Sequence, residues 1–365
     1  MDTTGEVAKP VSTLEGSGLV SVIMATRNRA SLLRRSIGSV LAQSMTNWEL
    51  IVVDDHSTDD TPVQLQAFQD PRIRTIRNAT RCGAAASANN GLRLARGEYV
   101  TFLDDDDVWH TDFLTVMNSE AASMDPAPTF LFSITERRYH DGRRVQLPAS
   151  GQFPRGELLL SDTLLWRNVT GKIAWFIRRD FLSTLGGFDE RLPASEDWEL
   201  LLRASAQTCF HFVDRCLAIA CESHENLTRN PRLNLEARRH ILEQHRTRIS
   251  VNPYLHAHHL REIGHLAMRL GTHREGRRYL FHSLIVAPWS MKSWILALCS
   301  LMGGRIYRML SRLSSRAREP FSSETPPRGE RKGQCEQLPD CKEGKPQGED
   351  PLPALRHRLD LSPYP

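Results

Sequence analysis

Residues 98–109 read Glu98-Tyr99-Val100-Thr101-Phe102-Leu103-Asp104-Asp105-Asp106-Asp107-Val108-Trp109. A short apolar run, of the kind that forms a strand, ends abruptly in four carboxylates. Upstream the same event occurs once more, where Leu50-Ile51-Val52-Val53 stops at Asp54-Asp55. Further back, Leu19-Val20-Ser21-Val22-Ile23-Met24 is a β-branched run suited to a buried strand. Between these runs the pattern changes period. Apolar residues at 32, 33, 37, 40 and 41 predict an amphipathic helix over 31–43. Residues 61–68 predict a second helix with Pro62 in its first turn. Residues 73–76 predict a third strand, and 84–95 a small-residue helix closed by Gly97. The alternation of strand and helix implies an α/β fold with a mostly parallel sheet covered by helices. Ligands of such sheets bind beyond the carboxyl ends of the strands, where both acidic clusters fall.

The later chain mixes a helix (112–123), strands (129–135, 173–178), helices (180–185, 195–206) and a strand (210–220). From 235 to 315 the pattern is helical, and 260–288 resembles a tetratricopeptide-type hairpin turning at Gly271. The expected organisation is a flexible leader (1–18), a catalytic domain (19–230), a helical extension (231–315) and a disordered tail (316–365). The chain has 365 residues, 40% hydrophobic and 25% charged, as in soluble globular proteins and unlike collagenous or multi-span membrane chains. No apolar run approaches a membrane span, no signal-type segment opens the chain, and seven cysteines lack CxxC spacing. A cytoplasmic protein is the expectation. The net charge of +4 conceals a partition: −6 over residues 1–230, +10 over 231–315, and zero beyond. Only six basic residues are lysines, among them Lys172, a bias read as compositional.

Four adjacent carboxylates repel one another, which a solvated acidic turn tolerates. At a strand end that faces ligand, the same group offers hard oxygen donors for Mg²⁺ or Mn²⁺, which bridge diphosphates. Such an ion also supplies the positive charge that a phosphate leaving group requires.

Several segments then resemble, in order, those of the family-2 glycosyltransferases. They are Val20 to Arg29, Leu50 to Thr61, Gly83 to Gly91, Gly97-Glu98-Tyr99, the Asp104 to Asp107 strand end, Gly186 to Glu190, and Glu196-Asp197-Trp198. The resemblance spans about 19–228 and implies a GT-A fold. It also implies a nucleotide-sugar-dependent, generally inverting enzyme using Mn²⁺ or Mg²⁺. By that resemblance Thr26 and Arg27 lie along the nucleotide. Asp55 accepts a hydrogen bond from the base, consistent with uracil N3–H being a donor. His56 stands where the family usually has glycine, which puts the shape of that loop in question. Asn89 lies beneath the nucleotide. Asp106 is the metal ligand, Asp104 contacts the ribose or the metal, and Asp105 can take either task. Asp107 steadies the loop. Asp197 is the general base on the acceptor hydroxyl, with Glu196 beside it and Trp198 either stacking on a sugar or packing. His224 approaches the metal or the diphosphate.

The implied acceptor is a hydroxyl of a glycan or lipid-linked carrier, as in cell-surface polysaccharide synthesis. No nucleic-acid module is recognisable, and sequons at Asn78, Asn168 and Asn226 are given no role. Trp289, Trp294, Ile295, Leu298 and Leu301, followed by Arg305, Arg308 and Arg312, suit an interfacial helix. A peripheral contact with the inner face of the cell membrane through 289–312 is one reading, beside a plain helical subdomain packed on the catalytic domain with its arginines outward, which is preferred, and a partner-binding helical hairpin. Two rivals remain at this level. A sugar nucleotidyltransferase would open with a glycine-rich loop, which 20–30 lacks. A non-catalytic glycosyltransferase-like scaffold would use its helical end to bind partners.

Overall fold

A computed structural model describes residues 18–222, 230–304 and 307–309. The leader, the tail and His224 lie outside the described residues. Strands β1 (Val20–Thr26), β2 (Trp48–Asp54), β3 (Ile73–Arg77) and β4 (Tyr99–Phe102) form a parallel block in the order β3-β2-β1-β4. Helices α1 (Ala30–Leu41), α2 (Thr61–Gln66) and α3 (Ala84–Leu94) connect them. The strands read as near-continuous apolar runs because both faces of the sheet are covered. On one face Val20, Val22 and Met24 meet Leu33, Ile37 and Val40 of α1. On the other, Ile23 and Val53 meet Ala85 and Ala88 of α3.

The small residues of α3 have a steric cause. A Cβ on Gly91 would stand 2.6 Å from Ile23 Cγ2, so this helix lies close on the sheet.

Beyond β4 the sheet becomes mixed. Its elements are β5 (Val108–Trp109), α4 (Phe113–Ala122), β6 (Phe130–Arg138), β7 (Arg144–Leu147), β8 (Gly156–Leu158) and α5 (Ser161–Trp166). A 3₁₀ turn (Lys172–Ala174), β9 (Trp175–Arg178), α6 (Arg179–Thr184), α7 (Glu196–Ala204) and β10 (Phe210–Cys221) follow. β9 runs antiparallel between β4 and β6, while β6 and β10 are parallel. The short pieces β5, β7, β8 and α5 are too brief to show a period and were not expected.

At the amino-terminal edge of β1 and β2 sits a buried polar knot. Glu49 is 1% exposed. It accepts from Ser21 Oγ at 2.7 Å and from Arg96 through its backbone N (2.7 Å), Nε (3.1 Å) and NH2 (2.9 Å). Burial works against its ionisation, but the Ser21 and Arg96 donors win and hold its pKa below the usual range.

The extension comprises α8 (Pro231–Gln244), α9 (Arg246–Ser250), α10 (Pro253–Leu270), α11 (His273–Val286) and α12 (Met291–Leu301). The expected hairpin is α10 and α11, turning at Gly271 with φ +88°. The two helices meet at Gly264, where a Cβ would lie 3.0 Å from the Gly276 carbonyl oxygen. α10 docks on the catalytic domain: His259 Nε2 is 2.8 Å from the Leu165 carbonyl and its ring stacks on Trp198. Among the described residues no helix is long and apolar enough to cross a membrane.

Candidate active site

The carboxyl ends of β1, β2 and β4 bring the two acidic clusters to one edge of the sheet. Where β2 ends, Asp54 Oδ1 accepts from Ser57 N and closes the turn. Asp55 is 5% exposed. Its Oδ1 accepts from Cys82 N (2.8 Å) and Asn78 Nδ2 (3.0 Å), and its Oδ2 from Gly83 N (2.9 Å). Burial opposes the charge, yet these donors hold its pKa below normal. Asp55 therefore shapes the 78–83 loop first, leaving lone-pair capacity for a base. His56 adopts φ +58°, the left-handed backbone that a glycine would take there.

Thr26 Oγ1 donates to Asp105 Oδ2 at 2.7 Å and ties the end of β1 to the Asp cluster. Burial raises Asp105 to about 7, with that hydrogen bond acting against it. Next to Thr26, Arg27 has a buried Nε without a hydrogen-bond partner, a donor available to an anionic ligand. Asp106 Oδ2 lies 4.0 Å from Arg29, and Arg35 donates to its carbonyl. Asp107 Oδ1 accepts from Cys221 N at 2.8 Å, joining the loop to β10 in the steadying role expected of it. Burial, then the nearby Asp104 and Asp106, push Asp107 well above the usual range.

Asp104 is turned the other way, toward a residue that sequence reading passed over. Lys172 Nζ lies 3.0 Å from Asp104 Oδ1 and 3.2 Å from Glu196 Oε1, bridging the β4 end to the first turn of α7. Burial alone would lower the Lys172 pKa, but the two carboxylates more than offset it and hold it well above normal. Trp109 makes this placement possible, because its indole donates to the Ile173 carbonyl at 2.7 Å and holds the 172–174 turn. The available signal was composition: Lys172 is the only lysine between residues 10 and 291.

Asp197 follows Glu196 in the same turn, after Ser195 in a left-handed conformation. Asn168 Nδ2 donates to its Oδ2 at 2.9 Å, and Trp198 N to its Oδ1 at 2.7 Å. Burial first, then the Glu196 charge, raise Asp197 to about 6, with Lys172 pulling the other way. A carboxylate of that strength is suited to accept a proton near neutral pH. Asn168 had drawn notice only as a sequon, and nothing in the sequence marks it as a partner of Asp197.

Two of the expected site residues are engaged within the protein. Trp198 is 5% exposed, donates its indole N–H to the Leu164 carbonyl, and packs against His259 and Arg238, the packing alternative for this residue. Asn89 is bound to the 187–190 loop. Its Nδ2 donates to the Phe188 carbonyl and Glu190 Oε1, both at 2.9 Å, and its Oδ1 accepts from Phe188 N.

Among the described residues no three Asp, Glu, His or Cys side chains converge as a metal cage. Asp104, although paired with Lys172, lies near enough to Asp106 for that charge to raise its pKa, and the two would supply carboxylates to a Mg²⁺ whose shell water and substrate phosphates complete. Burial first, and neighbouring carboxylates after it, raise Asp104 and Asp107, and a divalent cation relieves such negative charge. The donor set fits the ion.

Comparison with known proteins agrees with this geometry. A family model described as Glycosyl transferase family 2 matches residues 21–182. The putative colanic acid biosynthesis glycosyl transferase WcaA of Escherichia coli (strain K12) is 36% identical over 194 residues, covering 52% of this chain and 67% of that protein. A second relative is the UDP-Glc:alpha-D-GlcNAc-diphosphoundecaprenol beta-1,3-glucosyltransferase WfgD of Escherichia coli. It is 44% identical over 91 residues, which is 25% of this chain and 36% of that protein. The chain thus spans two thirds of WcaA but little more than a third of WfgD. Among solved structures, S. aureus TarS 1-349 in complex with UDP-GlcNAc superimposes with a TM-score of 0.59 at 18% identity. The match covers 83% of this chain and 93% of that one, a likeness of fold. By this kinship and this likeness of fold, the chain belongs to glycosyl transferase family 2 and has its GT-A fold.

Proposed function

We propose that this protein transfers a sugar from a nucleoside-diphosphate donor, a UDP-sugar, to a hydroxyl of a lipid-linked or glycan acceptor with inversion at the anomeric carbon. The observation that carries this reading is the row Asp104–Lys172–Glu196, with Asp197 next in line. It sets the donor-side strand end and the acceptor-side helix against each other across one salt-bridged lysine. WfgD, by its name, uses UDP-Glc and a diphosphoundecaprenol-linked acceptor, which supports the same classes here.

Asp55 and the loop it shapes receive the base, and Arg27 offers its unpartnered Nε to the donor. Asp106 and Asp104 would hold Mn²⁺ or Mg²⁺, which when bound neutralises charge on the leaving diphosphate. Asp197 takes the proton from the acceptor hydroxyl, and Asn168 holds its carboxylate in place. The freed oxygen attacks the anomeric carbon as the bond to the nucleoside diphosphate breaks. Lys172 bridges Asp104 and Glu196, and its positive charge favours the ionised form of Asp197 beside them.

The test is nucleotide release by the purified chain across a panel of nucleotide sugars and acceptors with Mn²⁺, and the anomeric configuration of the product by NMR. Release from a UDP-sugar with an inverted product is expected. No release from any donor would sink the enzymatic reading, and a retained configuration would sink the base role of Asp197.

A further inference from the structure

Helix α12 is built inside out. The side it turns to the protein carries Ser293, Ala297 and Ser300. The side it turns outward carries Met291, Trp294, Ile295, Leu298 and Leu301, between 45% and 72% exposed. Their spacing places them in one stripe along the helix. An ordinary surface helix has the reverse arrangement. The anchorage of α12 is partly polar, since Arg261 of α10 donates to Ser290 Oγ (3.3 Å) and Ser293 Oγ (3.4 Å). The exposed stripe is joined by the Trp289 and Tyr254 rings, 5.7 Å apart and each more than half exposed. A contiguous apolar surface of this kind marks an interaction site, whereas isolated exposed side chains do not.

Charge says what the partner is. Between Glu275 and Glu319 the chain has no carboxylate and eight lysines and arginines. We propose that the outer face of α12 docks on an anionic lipid bilayer, lying in the interface with its apolar stripe among the acyl chains and the basic residues toward lipid phosphates. Trp289, Trp294 and Tyr254 have the apolar body and polar tip favoured at that depth. At 11 residues the helix is roughly 16 Å long, about half of what spanning requires. A second copy of the chain is the poorer partner, because pairing would bring two carboxylate-free basic segments together.

The placement also makes sense for the site. On α10, His259 stacks on Trp198, the neighbour of Asp197, and two residues later Arg261 reaches α12. One helix therefore touches both the acceptor side and the proposed docking face. That link rests on the function proposed above; lipid binding itself does not.

The experiment is co-sedimentation of the full chain with vesicles of phosphatidylglycerol and phosphatidylcholine, or phosphatidylcholine alone, at low and high salt. Tryptophan fluorescence and light scattering are followed in parallel. Binding to the anionic vesicles with a blue-shifted emission is expected, weakened by high salt. The double substitution Trp294→Ser with Leu298→Ser should lower it about 10- to 100-fold. Circular dichroism and nucleotide release with a soluble acceptor should be unchanged in that variant. Equal vesicle binding by parent and variant overturns the proposal. So does a lipid-free dimer that the variant dissolves, or a lipid-free chain whose Trp294 is already shielded by its own tail. Vesicle binding by a chain inactive with every donor would support the docking face and sink the transferase reading. Turnover without vesicle binding would do the opposite.

Discussion

Both edges of the central sheet bury carboxylates and, Asp55 apart, they treat them in opposite ways. At the amino-terminal edge Glu49 receives donors from Ser21 and Arg96, and its pKa falls. At the carboxyl-terminal edge Asp104, Asp105, Asp107 and Asp197 share fewer donors with more neighbouring charge, and their pKa values rise. Burial opposes ionisation at both edges and is the largest cause of the raised values, although Glu49 has the least exposed surface of the set. What tips the balance is whether the protein itself completes the hydrogen-bonding shell. Where it does, the carboxylate is a fastener; where it does not, a cation, a proton or a substrate is left to finish the work.

Perturbation at each edge can break this contrast. The largest effect is expected from Asp197→Asn, which should lower turnover about 10²- to 10⁴-fold with nucleotide affinity intact, measured by nucleotide release and by calorimetry. In the parent, activity should fall as pH drops below about 6, because a raised pKa means that the base becomes protonated there. Stability should move the other way. The folded protein holds this proton up to about 6 whereas an unfolded aspartate releases it near 4, so ionisation costs stability as pH rises through that window. Asp197→Asn should thus melt no lower than the parent at pH 7.5, and any gain should vanish below pH 4. A marked loss of stability at pH 7.5 would show that Asp197 is a fastener after all.

Glu49→Ala should do the converse, costing about 2–3 kcal/mol and several degrees of melting temperature by leaving Ser21 and Arg96 without their acceptor. Its kcat at a permissive temperature should be unchanged. Because the Glu49 pKa is depressed, the parent has that contribution above the ordinary glutamate range and loses it as acid is added through the lowered pKa.

Lys172→Met tests the bridge. Removing the ammonium takes away a charge that lowers the Asp197 pKa. The acid limb of the rate profile should therefore move to higher pH by about one unit, so that kcat/KM falls about twofold at pH 7 and roughly tenfold below pH 5. An unmoved profile would reduce Lys172 to a packing residue. The smallest effect is expected of His56→Gly. It should leave turnover alone and raise stability by roughly 0.5–1 kcal/mol, since glycine accepts the left-handed backbone more readily.

The parallel half of the fold was legible because β1, β2 and β4 announce themselves as apolar runs, the latter two ending in aspartates. The mixed half was less so, since β7 and β8 are three or four residues long and are recruited by tertiary pairing. In the site, the carboxylates could be located but not their partners. Lys172 and Asn168 come from a loop without period, and their roles exist only once β9 brings that loop back beside β4. Asn89 and Trp198 were ambiguous for a related reason. Their types suit ligand contact, but a polar amide and an indole N–H serve equally well to satisfy a neighbouring backbone. The apolar spacing of α12 was visible, whereas the side it would turn to the protein was not.

The clamp made by Asn89 has a consequence for motion. A single amide binds α3 to the Phe188–Glu190 loop through three hydrogen bonds, and Gly187, at φ +71°, could not carry a Cβ without striking it. Since α3 lies hard on β1 at Gly91, that loop is riveted to the centre of the sheet. The wall leading into α7 is thus fastened at three points to a helix that is itself packed on the sheet, which makes it the stiff jaw of this edge.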